Sequence, residues 1–222
     1  MLAHQIERIQ HSLLIDEVII ATSVESLDDP IEQLAGEMGV HCYRGSETDV
    51  LSRVVEALQE FKVGIHVEFM GDNPMPDPML VDSIIGYYLK FSDDYDFVTN
   101  CMKTTYPPGA EVSVYPAKVL YDAEKSVTDA ALREHVSVHI YQQPERFRIR
   151  NLEAPPWFHY PKLHLEVDTP EDFEVISRIF EHFHPENPDF GLAQVIEFMN
   201  AHPELASLNA GVERRWKKFR QD

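Results

Sequence analysis

Apolar residues recur along this chain at two alternating spacings, one typical of amphipathic helices and the other of buried strands. Between Leu2 and Ser12 they follow one helical face, whereas residues 16–23 form an apolar run that ends in polar residues. The same alternation predicts helices over residues 28–39, 49–61 and 78–88, and strands over residues 40–44, 64–70 and 95–101. Strands that alternate with helices favour an α/β fold with a parallel, doubly wound sheet and right-handed crossovers.

The hydrophobic pattern changes after Lys103 and becomes a series of shorter segments. The spacing predicts a helix at residues 117–123 and extended segments at residues 111–115, 136–141 and 147–151. We therefore expect a small strand-rich insertion over about residues 104–160. Beyond it, an apolar run predicts that residues 163–167 return to the main sheet, and helical spacing predicts a helix over residues 170–183.

The predicted organisation is one domain over residues 1–185, followed by a C-terminal helical appendage over residues 186–222. This tail is predicted to contain at most a pair of helices, because Pro203 interrupts the pattern. Residues 213–220 are rich in Arg and Lys. Such a segment either contacts phosphate or a membrane, or is a solvated helix end whose charges suit the helix dipole, and the second interpretation is favoured.

Composition limits the classes of function. The chain has 222 residues, of which 44% are hydrophobic, so it can bury a substantial core. Its formal net charge of −19 argues against nucleic-acid binding, which needs clustered Lys and Arg. No apolar run of about 18 residues predicts a membrane span, and the amino end lacks the pattern of a signal peptide. We therefore expect a cytoplasmic protein in which Cys42 and Cys101 are reduced, structural thiols.

Two acidic motifs follow predicted strands and continue into turns that contain proline. Asp72 lies in Gly-Asp-Asn-Pro, and Asp168 begins Asp-Thr-Pro-Glu-Asp. Because proline cannot continue a central strand, both carboxylates should project from the rim of the sheet, where α/β proteins bind ligands. Carboxylate oxygens suit Mg²⁺, which is usually shared with substrate phosphates. Metal-assisted phosphoryl-type transfer is therefore the first hypothesis.

Each acidic residue also has a purely structural interpretation. Asp72 can cap a turn, and Asp168 or Thr169 before Pro170 is a standard N-terminal helix cap. The metal hypothesis therefore depends on the two motifs as a pair.

Two further segments combine basic and polar residues at predicted element ends. Residues 44–53 span a strand-to-helix turn, where backbone N–H groups and arginine can hold an anion or a nucleobase, although Ser46 and Thr48 can equally be caps. Arg133 and His135 precede a predicted strand; His135 either contacts a sugar or carboxylate, or is an ordinary hydrogen-bonded histidine. The other histidines lack a spacing with cysteine that predicts a zinc site.

Taken in order, five motifs resemble the cytidylyltransferase family. They are Arg-Gly-Ser-x-x-Asp-Val-Leu-x-Arg from residue 44, Gly-Asp-x-Pro-x-x-Asp-Pro from residue 71, Tyr-Pro-x-Gly from residue 106, Arg-Glu-His-Val from residue 133 and Asp-Thr-Pro-Glu-Asp from residue 168. The resemblance covers residues 1–183. It is strongest to the spore-coat-polysaccharide branch, which is related to CMP-KDO and CMP-acylneuraminate synthetases. The ordered set is far more specific than any single motif.

The resemblance implies a Rossmann-like nucleotide-diphospho-sugar transferase fold, GT-A-like, with a mixed, mostly parallel sheet. It also implies Mg²⁺-dependent transfer of CMP from CTP to a sugar acid hydroxyl with release of pyrophosphate, which makes a CMP-sugar for surface polysaccharide. By this resemblance Asp72 and Asp168 are the catalytic, metal-binding pair. The expected nucleotide- or substrate-binding residues are Arg44, Gly45, Ser46, Asp49, Arg53, Gly71, Asn73, Glu111, Arg133 and His135.

The chain departs from the family pattern at its amino end. Relatives begin with a central strand and a Gly-rich basic loop that wraps the CTP phosphates, and both should precede the helix that starts here at Leu2. The resemblance therefore predicts a slot in the sheet and an activity that is weakened by truncation. One alternative is a non-catalytic subunit that binds a sugar or a nucleotide. A second alternative, a glycosyltransferase, is less favoured because no Asp-x-Asp motif is evident. The insertion is a candidate homodimer surface.

Overall fold

The computed structural model describes residues 1–214 as a mixed α/β fold. Its helices are α1 (Leu2–Gln10), α2 (Asp29–Met38), α3 (Val50–Glu60), α4 (Pro78–Lys90), α5 (Ala117–Ser126), α6 (Ala130–Glu134), α7 (Val138–Tyr141), α8 (Pro170–Phe183), α9 (Leu192–Ala201) and α10 (Pro203–Leu208). Its strands are β1 (Ile19–Ser23), β2 (His41–Gly45), β3 (Ile65–Glu68), β4 (Phe97–Thr99), β5 (Ser113–Pro116) and β6 (Ile149–Asn151). Within these residues no helix is long and apolar enough to cross a membrane.

Capping residues explain where the main helices begin. The side chain of Asp49 accepts a hydrogen bond from Ser52 N at the start of α3, and Asp77 accepts one from Leu80 N at the start of α4. Helices α2, α4 and α8 carry a proline in their first turn, where the missing N–H has no helical partner to lose. These signals are visible in the sequence, which is why the helices over the first 90 residues are confirmed.

The strands form two sheets. Strands β1 and β2 pair in parallel, and the other four have the spatial order β3-β5-β4-β6. Strand β5 is antiparallel to both β3 and β4, whereas β4 and β6 are parallel. The prediction of a mixed α/β fold is confirmed, and β5 and β6 of the predicted insertion lie in the larger sheet.

Alternate residues of the larger sheet face two different apolar clusters. Val98 of β4 and Val114 of β5 belong to a cluster with α4, α8 and α9. Their neighbours Phe97 and Tyr115 belong to a second cluster with α3 and α5. Because side chains alternate along a strand, this sheet is covered by helices on both faces.

A gap separates the two sheets. Among the described strands, β1 is paired only with β2, and β3 only with β5. A cavity of about 910 Å³ lies between them and is lined by residues of both β1 and β3.

Two predicted strands are wrong. Residues 136–141 include the short helix α7 instead of a strand. The spacing of the buried residues Val136 and Ile140 fits a helix as well as a strand. His139 Nδ1 also forms a local hydrogen bond with Val136 O at 2.8 Å. The segment 163–167 is irregular: Leu165 N donates to Pro108 O at 2.7 Å, and loop carbonyls rather than a strand receive its hydrogen bonds.

The C-terminal segment packs against the rest of the chain. Helices α9 and α10 form the predicted pair, and Pro203 separates them. Phe190 and Val195 are fully buried in the cluster with α4 and α8. Residues 215–220 of the basic segment lie outside the described part of the chain. Arg214 is described and is only 3% exposed. At this position the prediction of a solvated helix end is therefore wrong.

Candidate active site

The loop after β3 holds Asp72 just beyond the carboxyl end of that strand. It turns sharply, since Asn73 N donates to Met70 O at 3.1 Å. Helix α1 supports this turn through Gln5, whose buried Nε2 donates to Met70 O at 2.7 Å and to Asn73 O at 2.9 Å. The position of Asp72 therefore depends on α1 as well as on β3.

Asp72 lies in an environment that opposes its negative charge. Burial, followed by the negative charge of Asp168 and smaller contributions from Glu111 and Glu166, raises the pKa of Asp72 to about 6. Its Oδ1 atom is buried and has no hydrogen-bond partner in the described chain. A buried carboxylate oxygen without a partner is costly unless a cation or a proton compensates it.

Asp168 lies close to Asp72 and is not the helix cap. Val167 N donates to Asp72 O at 2.9 Å, which brings the two acidic segments together. Helix α8 is instead capped by Thr169, which forms a capping box with Asp172. The predicted helix cap is therefore present but is Thr169 rather than Asp168, and the half-exposed carboxylate of Asp168 remains available for a ligand, with Arg214 Nη1 at 3.5 Å.

A buried ionic network lies behind Asp168 and was not predicted from the sequence. Arg214 donates to both oxygens of Asp172, at 2.8 and 2.5 Å, and its Nε lies 3.3 Å from Glu166 Oε1. Asp172 also accepts a hydrogen bond from Asn209 Nδ2 at 2.8 Å. Although burial opposes ionisation, the hydrogen bonds from Arg214 and Asn209 lower the pKa of Asp172 to about 2. The network fixes the residues on both sides of Asp168.

Glu111 and Asn73 lie beside the acidic pair. Asn73 Nδ2 donates to Glu111 Oε2 at 3.3 Å, and Gly109 N donates to the same oxygen at 2.7 Å. Gly109 has a φ of +102°, and a Cβ there would lie 2.5 Å from the backbone of Leu165, so only glycine fits this turn. Gly71 is exposed beside Asp72.

A second group of predicted residues meets at the turn between β2 and α3. Arg133 forms a bidentate ion pair with Asp49, with distances of 2.7 to 3.0 Å. Arg53 Nη1 donates to Ser46 O at 2.9 Å, and a Cβ on Gly45 would lie 2.9 Å from Arg53 Cγ. Gly45 therefore allows the arginine to pack closely against the turn.

Arg44 and His135 lie apart from this group. Arg44 Nη1 pairs with Asp29 at 2.6 Å and with Glu32 at 2.8 Å, so its guanidinium faces α2. His135 follows the last residue of α6 and is half-buried. The structure brings together most of the predicted residues in two groups, and the large cavity is lined by Arg53 of one group and Gly71 of the other.

The family model described as Cytidylyltransferase matches residues 1–211 of the chain. The chain belongs to the cytidylyltransferase family. It is thus a nucleotidyltransferase.

Two curated relatives of this cytidylyltransferase are each 32% identical to it. One is an uncharacterized protein of Methanocaldococcus jannaschii, MJ1063, which is aligned over 97% of the present chain and 85% of its own length. The other is the spore coat polysaccharide biosynthesis protein SpsF of Bacillus subtilis, aligned over 86% of the present chain and 78% of its own length.

Solved structures agree with the fold. A cytidylyltransferase from Leptospira borgpetersenii superimposes with a TM-score of 0.88 at 24% identity, over 96% of this chain and 87% of its own. A CMP:2-keto-3-deoxy-manno-octonic acid synthetase complexed with CTP superimposes with a TM-score of 0.59 at 17% identity, over 82% and 87% of the two chains. At these identities the similarity shows the Rossmann-like nucleotidyltransferase fold.

The charge of Asp72 should make the metal-free protein less stable at neutral pH. Its pKa is about 6 in the folded chain against an ordinary value of 3.8, so the folded state binds the proton more tightly. Stability should therefore rise as the pH falls from above 6 towards 4. With EDTA at pH 7.5, Asp72→Asn should raise the free energy of unfolding by about 3 kcal/mol. Urea unfolding at several pH values measures this gain, which should shrink below pH 6; a gain that is independent of pH would contradict the assignment.

Proposed function

We propose that this protein transfers CMP from CTP to a hydroxyl group of a sugar acid and releases pyrophosphate. The observation that carries the proposal is the buried, unpartnered Oδ1 of Asp72, close to Asp168 in a chain of the cytidylyltransferase family. The similarity to the octonic acid synthetase supports a sugar acid as the acceptor, and the similarity to SpsF supports a role in polysaccharide synthesis.

The donor set of the acidic pair suits a hard divalent cation. Asp72 and Asp168 offer only oxygen atoms, and burial together with the negative charge of Asp168 raises the pKa of Asp72, so a cation bound there would stabilise the ionised form. Mg²⁺ prefers oxygen ligands and is usually held by one or two carboxylates together with substrate phosphates. A cation held there would neutralise the charge that develops on the α-phosphate and the departing pyrophosphate.

The two groups of polar residues have different roles in this proposal. The β2–α3 turn, with Gly45, Ser46 and Arg53, holds the nucleotide, and the Arg133–Asp49 pair keeps the turn rigid. Glu111 and Asn73 lie beside the acidic pair and bind hydroxyl groups of the acceptor. A cavity of about 910 Å³ is lined by Arg53 of the first group and by Gly71 next to Asp72, and its volume is within the usual range for small-molecule sites.

Little covalent chemistry is left for the side chains. The acceptor oxygen forms a bond to the α-phosphorus of CTP, the bond between that phosphorus and the bridging oxygen of pyrophosphate breaks, and the hydroxyl proton passes to solvent. Side chains that orient the nucleotide and the acceptor place the attacking and leaving oxygens in line.

Pyrophosphate release tests the proposal. The chain, with any residues that its gene encodes before residue 1, is incubated with CTP, Mg²⁺ and a panel of eight- and nine-carbon keto sugar acids. We expect release that requires CTP, Mg²⁺ and an acceptor together, with an equal amount of CMP-sugar. CTP binding without release for any acceptor would favour the non-catalytic alternative and overturn the proposal.

A further inference from the structure

Two imidazoles and a carboxylate converge on the side of the molecule where α1 packs against the end of α8. His4 and Glu7 lie one turn apart on α1, and His184 directly follows the last residue of α8. Glu7 Oε2 lies 3.5 Å from His4 Nδ1 and 3.5 Å from His184 Nε2. One ligand atom from each residue lies within 4.8 Å of the other two.

These distances suit a shared metal ion better than direct hydrogen bonds. Nitrogen–oxygen hydrogen bonds are usually about 2.7 to 3.2 Å long, so 3.5 Å is a weak contact. In a tetrahedral zinc site with bonds of about 2.0 to 2.2 Å, two neighbouring ligand atoms lie about 3.3 Å apart. Small side-chain movements would bring all three atoms to that separation.

The surroundings hold the rings and leave one side open. The His4 ring stacks on Phe180 with a centroid distance of 4.4 Å, and the His184 ring lies edge-on to His4 at 4.6 Å. The side chains of His4, Glu7 and His184 are 35%, 45% and 35% exposed, so an ion can enter and water can complete its coordination.

We propose that His4, Glu7 and His184 form a binding site for a divalent transition-metal ion, with Zn²⁺ as the best-suited ion. Imidazole nitrogen suits Zn²⁺, Co²⁺ and Ni²⁺, whereas Mg²⁺ prefers oxygen alone, so this site and the acidic pair select different ions. The sequence did not predict the site, because His184 lies far along the chain from His4 and no cysteine takes part.

The site links two elements that support the active-site loop. Helix α1 carries Gln5, which bonds to the turn around Asp72, and Arg8, whose Nε donates to Pro76 O at 3.0 Å. Arg8 Nη2 also donates to Phe190 O at 2.8 Å, beyond the end of α8. An ion at His4, Glu7 and His184 therefore has a structural role: it fixes α1 against α8 and keeps the Asp72 loop in place.

Thermal unfolding with Zn²⁺ tests the site. The chain is treated with EDTA, dialysed and titrated with Zn²⁺ or Mg²⁺. At a Zn²⁺ concentration about 100 times the dissociation constant, we expect Tm to rise by about 5 to 10 °C, with no such rise at the same Mg²⁺ concentration. The rise should disappear in His184→Ala and in Glu7→Gln.

His11→Ala is the matched control, since His11 also lies at the end of α1 and contacts a carboxylate, Asp189, at 2.7 Å. It should keep the full zinc-induced rise in Tm. Co²⁺ gives a second readout, because tetrahedral Co²⁺ absorbs visible light strongly, and His184→Ala should lose this absorption. An unchanged Zn²⁺ effect in His184→Ala, or no Zn²⁺ effect in the unmodified protein, would overturn the proposal.

Discussion

Asp72→Asn should lower the rate of CMP transfer by at least about a thousandfold, which corresponds to about 4 kcal/mol of lost transition-state stabilisation. The substitution keeps the size and shape of the side chain but removes the charge that a cation needs. Asp168→Asn should have a similar effect, because both carboxylates belong to the same acidic cluster. Pyrophosphate release under saturating CTP and Mg²⁺ measures the loss.

A matched control separates this loss from a general effect of charge. Asp94 is an exposed aspartate in the turn between α4 and β4, and Asp94→Asn should keep the activity of the unmodified protein. Asp72→Asn should also remain folded and, without metal, be more stable at neutral pH. An Asp72→Asn variant that retains a tenth or more of the activity would show that this carboxylate does not hold the metal.

Arg214→Met should destabilise the fold by about 3 to 5 kcal/mol. Arg214 is buried and pairs with the fully buried Asp172 and with Glu166, which is 3% exposed. Without the guanidinium, these carboxylates remain buried without their cation, and the cost is the desolvation of uncompensated charge. Chemical unfolding at pH 7 measures the change in the free energy of unfolding.

Two further variants identify the cause of that loss. Arg178→Met breaks an exposed pair with Glu174 at 2.8 Å on α8 and should cost less than about 0.5 kcal/mol. Asp172→Asn added to Arg214→Met removes one of the stranded charges and should recover part of the stability. Equal losses in Arg214→Met and Arg178→Met would show that the buried network does not stabilise the fold.

Local signals account for what the sequence predicted well. Helix α8 begins at Thr169 and Pro170 because the capping box and the fixed φ of proline act within a few residues. The acidic pair was also predictable, since each carboxylate follows an apolar run and precedes a turn with proline.

The remaining features depend on contacts between distant residues. The segment 163–167 has the composition of a strand, but its partners are loop carbonyls such as Pro108 O, and only the folded chain shows this. Arg214 lies in a basic segment that predicts solvent exposure, yet three carboxylates from residues 166–172 surround it. The proposed site combines His4 and Glu7 of α1 with His184, which follows α8 and is far away in the sequence.

Local signals predict the strands on both sides of the gap between β1 and β3, but they do not predict which strands pair. Strand β3 was predicted from its apolar residues, and it forms although only its β5 edge is paired in the described chain. Helices cover both faces of β4 and β5, which contribute residues to both apolar clusters. The packing of this sheet therefore depends on contacts between distant residues as well as on strand pairing.

Anomalous scattering from crystals grown with Mn²⁺ and CTP tests the metal assignment most directly. Mn²⁺ prefers the same oxygen ligands as Mg²⁺ and can be located by its anomalous signal. We expect an anomalous peak within coordination distance of both the Asp72 and the Asp168 carboxylates and next to the phosphates of CTP. A peak that contacts neither carboxylate, with CTP bound in the cavity, would contradict the account.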